Sequence, residues 1–376
     1  MEGWVPELRD ALAERLLARV MEWGPSDVAR ERPDLQALAA YRYDEYQQFS
    51  PGKRFIESLA LWLEQFESKE ERGIAYKFVR NRLVFVSTSE MSHLVGISYP
   101  DVISPFLVNQ VATRRTFPEW RVKSIFRSQD FVILLRQSMF LGLSDGAAVD
   151  VFRRSNPDIS HEQVSRTHEI SKDRAAKMRE ELTRDLQKIL ERSPSDDEAR
   201  FRMVFLLDDF SGSGLSYVRT EKDGYKGKLV NFHAALSDSG GDLQALVKIS
   251  ELRVCLVLYM ATMQACEHLE KVSAQLFGKI PFAVRVVYRL PISVRLDSQK
   301  DQAFLELLPK YYDAAIEDEH YLKGRHDRPY LGFDECGLPL VLSHNTPNNS
   351  VPILWFQENR RFRGLFPRVS RFGETG

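Results

Sequence analysis

Apolar positions in the first 125 residues recur at steps of three and four. Leu8, Leu12, Leu16, Leu17 and Val20 form one stripe; Phe55, Leu59, Trp62, Leu63 and Phe66 form another, followed by Ile74 and Phe78. This spacing predicts amphipathic helices. From residue 126 the pattern changes. Short apolar runs at 131–135, 140–143, 203–207, 254–258 and 282–287 show little polar alternation, as expected of strands buried on both faces of a parallel sheet. Between them lie helix-spaced sets. Ala175, Met178, Leu182, Leu186, Ile189 and Leu190 form one; Met263, Cys266, Leu269, Val272 and Leu276 form the other, closed by Gly278 and Pro281. Buried strands alternating with amphipathic helices predict an α/β fold with a doubly wound, mostly parallel sheet.

The same pattern divides the chain into a mostly helical region at 1–125, an α/β core at 126–292 and a C-terminal extension at 293–376. The polar stretch 156–195 is long for a crossover and predicts a mobile loop before a helix. The extension predicts a helix over 302–316, then a turn-rich segment, an apolar run at 338–342 and the segment 343–350. It ends in Arg360, Arg361, Arg363, Arg368 and Arg371 interleaved with Phe362, Phe366 and Phe372.

Composition narrows the class. The 376 residues carry a net charge of −1, with 28% charged and 43% hydrophobic positions, as in a soluble globular protein. Such a balance excludes a wholly basic nucleic-acid coat but not a local basic patch. The three cysteines, Cys255, Cys266 and Cys336, form no C-x-x-C pair, so neither a disulfide framework nor a zinc site is expected. They read as buried small hydrophobes in a reducing cytoplasm. Glu2, Glu7 and Asp10 stand where a signal peptide carries positive charge, and no apolar run of about 18 residues predicts a membrane span.

The chemistry concentrates at 203–216. A buried strand runs into Asp208 and Asp209, then into a loop of Ser211, Gly212, Ser213, Gly214, Leu215 and Ser216, with a helix expected to start at 215–217. Ligands of open α/β sheets bind beyond the carboxyl ends of the strands. The glycines allow a tight turn whose N–H groups converge on an anion, the helix N-terminus favours negative charge, and the serines add hydroxyls. The twin acids fit beside such a phosphate site if they face away from it and accept hydrogen bonds from hydroxyls. A phosphorylated sugar presents both faces. The loop lacks the lysine of a P-loop and the G-x-G-x-x-G dinucleotide spacing. A Gly/Ser-rich turn with an acidic helix cap is the plain structural alternative.

These residues resemble the ribose-phosphate motif of type I phosphoribosyltransferases: four apolar residues, two acids, then small residues ending in Thr-Gly-x-Thr. Ser213, Gly214, Leu215 and Ser216 hold that last place, with serine for both threonines. The resemblance implies that Asp208 and Asp209 hold the ribose hydroxyls while the loop holds the 5′-phosphate. It further implies a pyrophosphate-contacting loop after the first core strand. By order this is 141–147, with Ser144, Asp145 and Gly146, and with Arg153 and Arg154 nearby. The flexible loop that closes over such sites falls on 156–172, with His161, Arg166 and His168.

Taken with the segment His344, Asn345, Thr346, Pro347, Asn348, Asn349 and with Trp355, the whole chain resembles the phosphoribosyltransferase-like effector family of bacterial conflict systems, some of whose members accompany retrons. The resemblance implies attack at C1 of 5-phosphoribosyl 1-pyrophosphate (PRPP) or a nucleotide, with Mg²⁺ bridging ligand oxygens. It implies an antiphage role, a reverse transcriptase with its noncoding RNA or another defence component as partner, no membrane, and room for an oligomer. Asn345, Asn348, Asn349 and Trp355 are candidates for a lid or base-reading element, or else a turn that fixes the tail to the core with Trp355 buried. A ribose-phosphate sensor without turnover, and a nucleic-acid scaffold using the Arg/Phe tail, stay open beside the enzyme.

Overall fold

The computed structural model describes residues 4–49, 54–118, 120–357 and 361–368, with 4–9 and 48 described in backbone only. Glu2, Arg360, Arg371 and Phe372, named above, lie outside the described residues, as do the side chains of Glu7 and Leu8. The chain forms two compact units, one of residues 1–90 with 291–376 and one of 91–290.

In the first unit the amino-terminal helices and the carboxyl-terminal extension share one core. The short strands β1 (Val84–Val86) and β9 (Leu340–Leu342) pair in parallel, with Phe85 opposite Val341. Leu59, Trp62 and Leu63 from the helix Phe55–Glu64, with Phe66 just after it, meet Ile353, Leu354 and Phe356 in this core. The Trp62 indole N–H donates to the Ile353 carbonyl at 2.8 Å. Phe78 stacks on Phe304 with centroids 3.7 Å apart. The helix expected over 302–316 ends at Lys310, just past Pro309, and only a 3₁₀ turn follows at Ala314–Ile316.

The second unit carries a five-stranded, all-parallel sheet. Its strands are β2 (Ser138–Gly142), β3 (Val164–Ser165), β4 (Met203–Ser211), β7 (Arg253–Thr262) and β8 (Phe282–Leu290), in spatial order β3-β2-β4-β7-β8. A separate hairpin, β5 (Arg219–Glu221) and β6 (Gly224–Lys226), follows β4. Strand alternation sends residues to both faces. Met139, Leu141, Val204 and Leu206 pack with Met178, Leu182 and Leu186 of the helix Lys172–Leu190. Phe140 and Phe205 stack on each other; Phe152 meets Phe140 and Phe106 meets Phe205. Helices therefore cover both faces, as the doubly wound reading expects. Phe106 belongs to the helix Ser104–Arg115, so residues 91–125 help cover the sheet and group with 126–290.

One expectation needs correction here. The run 131–135 is not a strand but part of the helix Gln129–Arg136, whose first turn is capped by the Ser128 hydroxyl accepting from Phe131 N at 3.2 Å. A short apolar run does not separate a buried strand from a helix segment, and here Phe131 and Leu134 face inward while Val132 is exposed. The stretch 156–172 holds the edge strand β3, pinned by Gln163, whose side-chain amide donates to the carbonyls of Leu135 and Ser138 at 2.7 and 2.8 Å.

All three cysteines are buried and free. Burial pushes the thiols of Cys255 and Cys336 up to about 12. Because the thiolate is the reactive form, iodoacetamide is expected to leave all three unmodified in the folded protein and to label them only after unfolding, as read by mass spectrometry. Among the described residues no helix is long and apolar enough to cross a membrane.

Candidate functional site

Numbered along the sheet by chain order, the five strands run 2-1-3-4-5. After β2 the chain turns back toward β3; after β4 it proceeds toward β7. The order reverses between β2 and β4, and in open α/β sheets the crevice beyond the carboxyl ends at such a reversal is where ligands bind. The in-register pairing of Gly142 with Leu207 sets the loop 143–148 after β2 beside the last residues of β4, 208–211, and the loop 212–216 that follows them.

The first residue after the buried run, Asp208, is fully buried. Its Oδ1 accepts from the Ser144 hydroxyl and from Asp209 N, and its Oδ2 accepts from the Tyr217 hydroxyl at 2.7 Å and from Lys228 Nζ at 2.5 Å. A carboxylate offers about four acceptor positions, so this one is saturated by the protein itself. Burial pushes the Asp208 carboxyl above the ordinary carboxylate range, against the pull of Lys228. In this geometry Asp208 ties the two loops together.

Asp209 is only half-buried. Its Oδ1 accepts from Phe210 N at 2.7 Å, and its Oδ2 lies against Gly146, where an added Cβ would come within 2.2 Å of it. Glycine at 146 thus lets the first loop close onto the second acid. Ser144 and Gly146 lie against the acids, whereas Asp145 is exposed. The loop ends at Ala148 with φ 44°, a left-handed conformation rare for alanine, and Tyr259 of β7 pins it by donating to the Ala147 carbonyl at 2.7 Å. Arg153 follows, half-buried, on the helix Val149–Ser155, while Arg154 pairs with Asp150.

In the second loop Ser211, Gly212, Ser213 and Gly214 are buried, Leu215 is half-buried and Ser216 is exposed. The buried Ser211 Oγ has no hydrogen-bond partner. Ser213 Oγ accepts from Leu215 N at 3.4 Å, and the Gly212 carbonyl accepts from Thr262 Oγ1. Gly214 adopts φ +82° and packs on the helix Met263–Phe277, where an added Cβ would lie 2.9 Å from His268 Cδ2. No helix starts at 215–217. The chain instead makes the β5–β6 hairpin and enters the helix Lys228–Ser237, whose first N–H groups are taken by the carbonyls of Ser216 and Tyr217 at 3.1 and 2.9 Å. That detour returns Lys228 to Asp208. Tyr217, Lys228, Tyr259 and His268 escaped sequence reading because each reaches the loops through tertiary packing rather than motif spacing.

Asn345, Asn348, Asn349 and Trp355 belong to the first unit. Asn345 and Asn348 are half-buried. The Asn349 amide donates to the Phe333 carbonyl at 3.2 Å, and the buried Trp355 indole donates to the Ser350 carbonyl at 2.7 Å. In this geometry both residues belong to a turn fastened to its own core.

A family model described as PRTase-CE matches residues 59–368. No curated protein and no solved structure gives a match.

Proposed function

Because the chain belongs to the PRTase-CE family, we propose that this phosphoribosyltransferase-like effector binds a ribose 5-phosphate ligand, either PRPP or a nucleoside 5′-phosphate, in the crevice between β2 and β4. The observation that carries the reading is the reversal of strand order at β2 and β4, with both expected loops meeting there. Asp209 takes the acceptor role toward the ribose hydroxyls, since Asp208 is saturated. Ser216 and the loop backbone take the phosphate, and the Ser211 hydroxyl gains a partner if the loop opens around it. Ser144 and Gly146 line the pyrophosphate side, with Arg153 as the nearby cation.

Among the described residues no three His, Cys, Asp or Glu side chains converge to hold a metal. Mg²⁺ would be carried mainly on ligand oxygens, with the half-buried Asp209 as the acid able to hold it, and it would supply charge neutralisation for a departing pyrophosphate. The protein's own work is to orient the sugar and keep the two loops fixed around C1. In this reading the effector acts as a toxin of antiphage defence. The saturation of Asp208 favours a second reading, in which the crevice senses a ribose phosphate without turnover.

Titration calorimetry with PRPP and with a nucleoside 5′-phosphate, with and without Mg²⁺, tests binding, and pyrophosphate release tests turnover. Asp209→Asn is expected to weaken affinity about tenfold or more, the scale of a lost hydrogen bond to a charged group. Equal binding by wild type and Asp209→Asn would remove the reading; binding without release would select the sensor.

A further inference from the structure

The amino end of the same sheet carries a surface of different chemistry, independent of the crevice. Between the helices Ser104–Arg115 and Gln129–Arg136 the chain exposes three aromatic side chains: Phe117 at 44%, Trp120 at 75% and Phe126 at 43%. Monomeric proteins seldom leave such rings together in water without a use for them. Cations are interleaved with them. Arg121 lies over the Trp120 ring at 5.2 Å, and Lys123 and Arg127 flank Phe126 on and after the short helix Val122–Phe126. These three cations are exposed and make no ion pair among the described residues. Arg115 differs, being held by Asp130. Glu119 lies outside the described residues.

The basic character extends to the sheet. Arg202 immediately precedes β4, and Arg253, which opens β7, is paired in register with Met203. Burial, and then the like charge of Arg202 and Arg253, hold the guanidinium of Arg114 below its ordinary range. Glu251 offsets part of this charge through its pair with Arg202 at 2.6 Å.

We propose that residues 114–118 and 120–127, with Arg202 and Arg253 beside them, form a binding surface for single-stranded nucleic acid. Alternating rings and cations match a strand that alternates unstacked bases with phosphates. A membrane-inserting face would segregate its rings from its charges, whereas here Trp120 and Phe126 are each followed directly by an arginine, Arg121 and Arg127. An apolar protein partner would leave the unpaired cations without counter-charge.

Fluorescence anisotropy of labelled single strands of about 20 nucleotides tests this, in RNA and DNA arms, against a blunt duplex and phosphatidylserine vesicles. The full chain is expected to bind the single strands more tightly than the duplex, with affinity falling steeply as salt rises. The variant Trp120→Ala, Phe126→Ala should lose about tenfold in affinity per ring. The variant Arg121→Ala, Lys123→Ala, Arg127→Ala should flatten the logarithmic salt dependence by about 2, at roughly 0.7 per lost phosphate contact. The Phe126 ring also lies 4.6 Å from that of the buried Phe131, so both variants should keep wild-type circular dichroism, while the triple cation variant and Trp120→Ala alone should also keep the thermal midpoint. Absence of single-strand binding at low salt, unchanged affinity in both variants, or capture by vesicles in preference to single strands would each overturn the proposal. The crevice is untouched by these substitutions, so ribose-phosphate binding should persist in both variants.

Discussion

Replacing Phe366 by alanine is expected to destabilise the first unit by about 4 kcal/mol, as measured by denaturant unfolding. Phe366 is fully buried, although it lies in an Arg/Phe-rich tail. Its ring lies 5.1–6.0 Å from those of Tyr43, Tyr46, Phe49, Phe55 and Phe85. The backbone is fastened at the same point. Phe366 N donates to the Leu354 carbonyl at 2.7 Å, and the buried Tyr46 hydroxyl donates to the Phe366 and Pro367 carbonyls at 3.1 and 2.9 Å. Alanine would leave a cavity among five rings that several chain segments hold apart, so little collapse is available to offset it. An arm reserved for nucleic acid would show no such cost. A change within about 0.5 kcal/mol, the range of an ordinary surface substitution, would place Phe366 outside the core.

Lys228→Met is expected to cost about 3 kcal/mol. Breaking a buried pair from one side leaves an uncompensated buried charge, and here the stranded group is the fully buried Asp208. The figure sits at the low end of the usual range because the Lys228 side chain is 24% exposed, so water already screens part of the attraction. Asp208→Asn should cost less, since the lysine it frees can turn to solvent. Combining Asp208→Asn with Lys228→Met should recover most of the single-variant loss, because neither member then carries a charge. This ordering, with the lysine variant worst and the double variant milder, is specific to a saturated internal carboxylate. If instead Asp208→Asn destabilised more than Lys228→Met and the double variant were worse than either, the assignment of Asp208 as a tie between loops would be wrong.

The sheet was legible in the sequence where burial was two-sided. Runs at 203–207 and 254–258 match strands whose central residues are inaccessible on both faces. The helix spacing from Ala175 to Leu190 matches Lys172–Leu190 for the same reason, a continuous stripe against that sheet. At 131–135 five apolar residues in a row carried no usable period, and Ser128 decided the element by capping. Of the candidate site, the acids and the Ser/Gly loop were legible in the residues after the strand run 203–207, and the loop 141–147 was placed by the family resemblance. The occupation of Asp208 was not. Lys228 lies 20 residues along the chain and arrives through a hairpin and the cap at Gly227, where φ is 129°. Nor was the unit boundary: β1 and β9 pair across more than 250 residues, and nothing local in either strand names the other.

The most direct measurement is the structure of the protein with a nucleoside 5′-phosphate, and with PRPP and Mg²⁺. The expected result places the phosphate against Ser213–Gly214–Leu215–Ser216, with a ribose hydroxyl in hydrogen-bond contact with Asp209 and the Asp208–Lys228 pair intact. Ligand bound elsewhere, for instance in the cavity of about 150 Å³ lined by Asp10, Asp44 and Arg54 in the first unit, with the crevice between β2 and β4 unoccupied, would contradict the account.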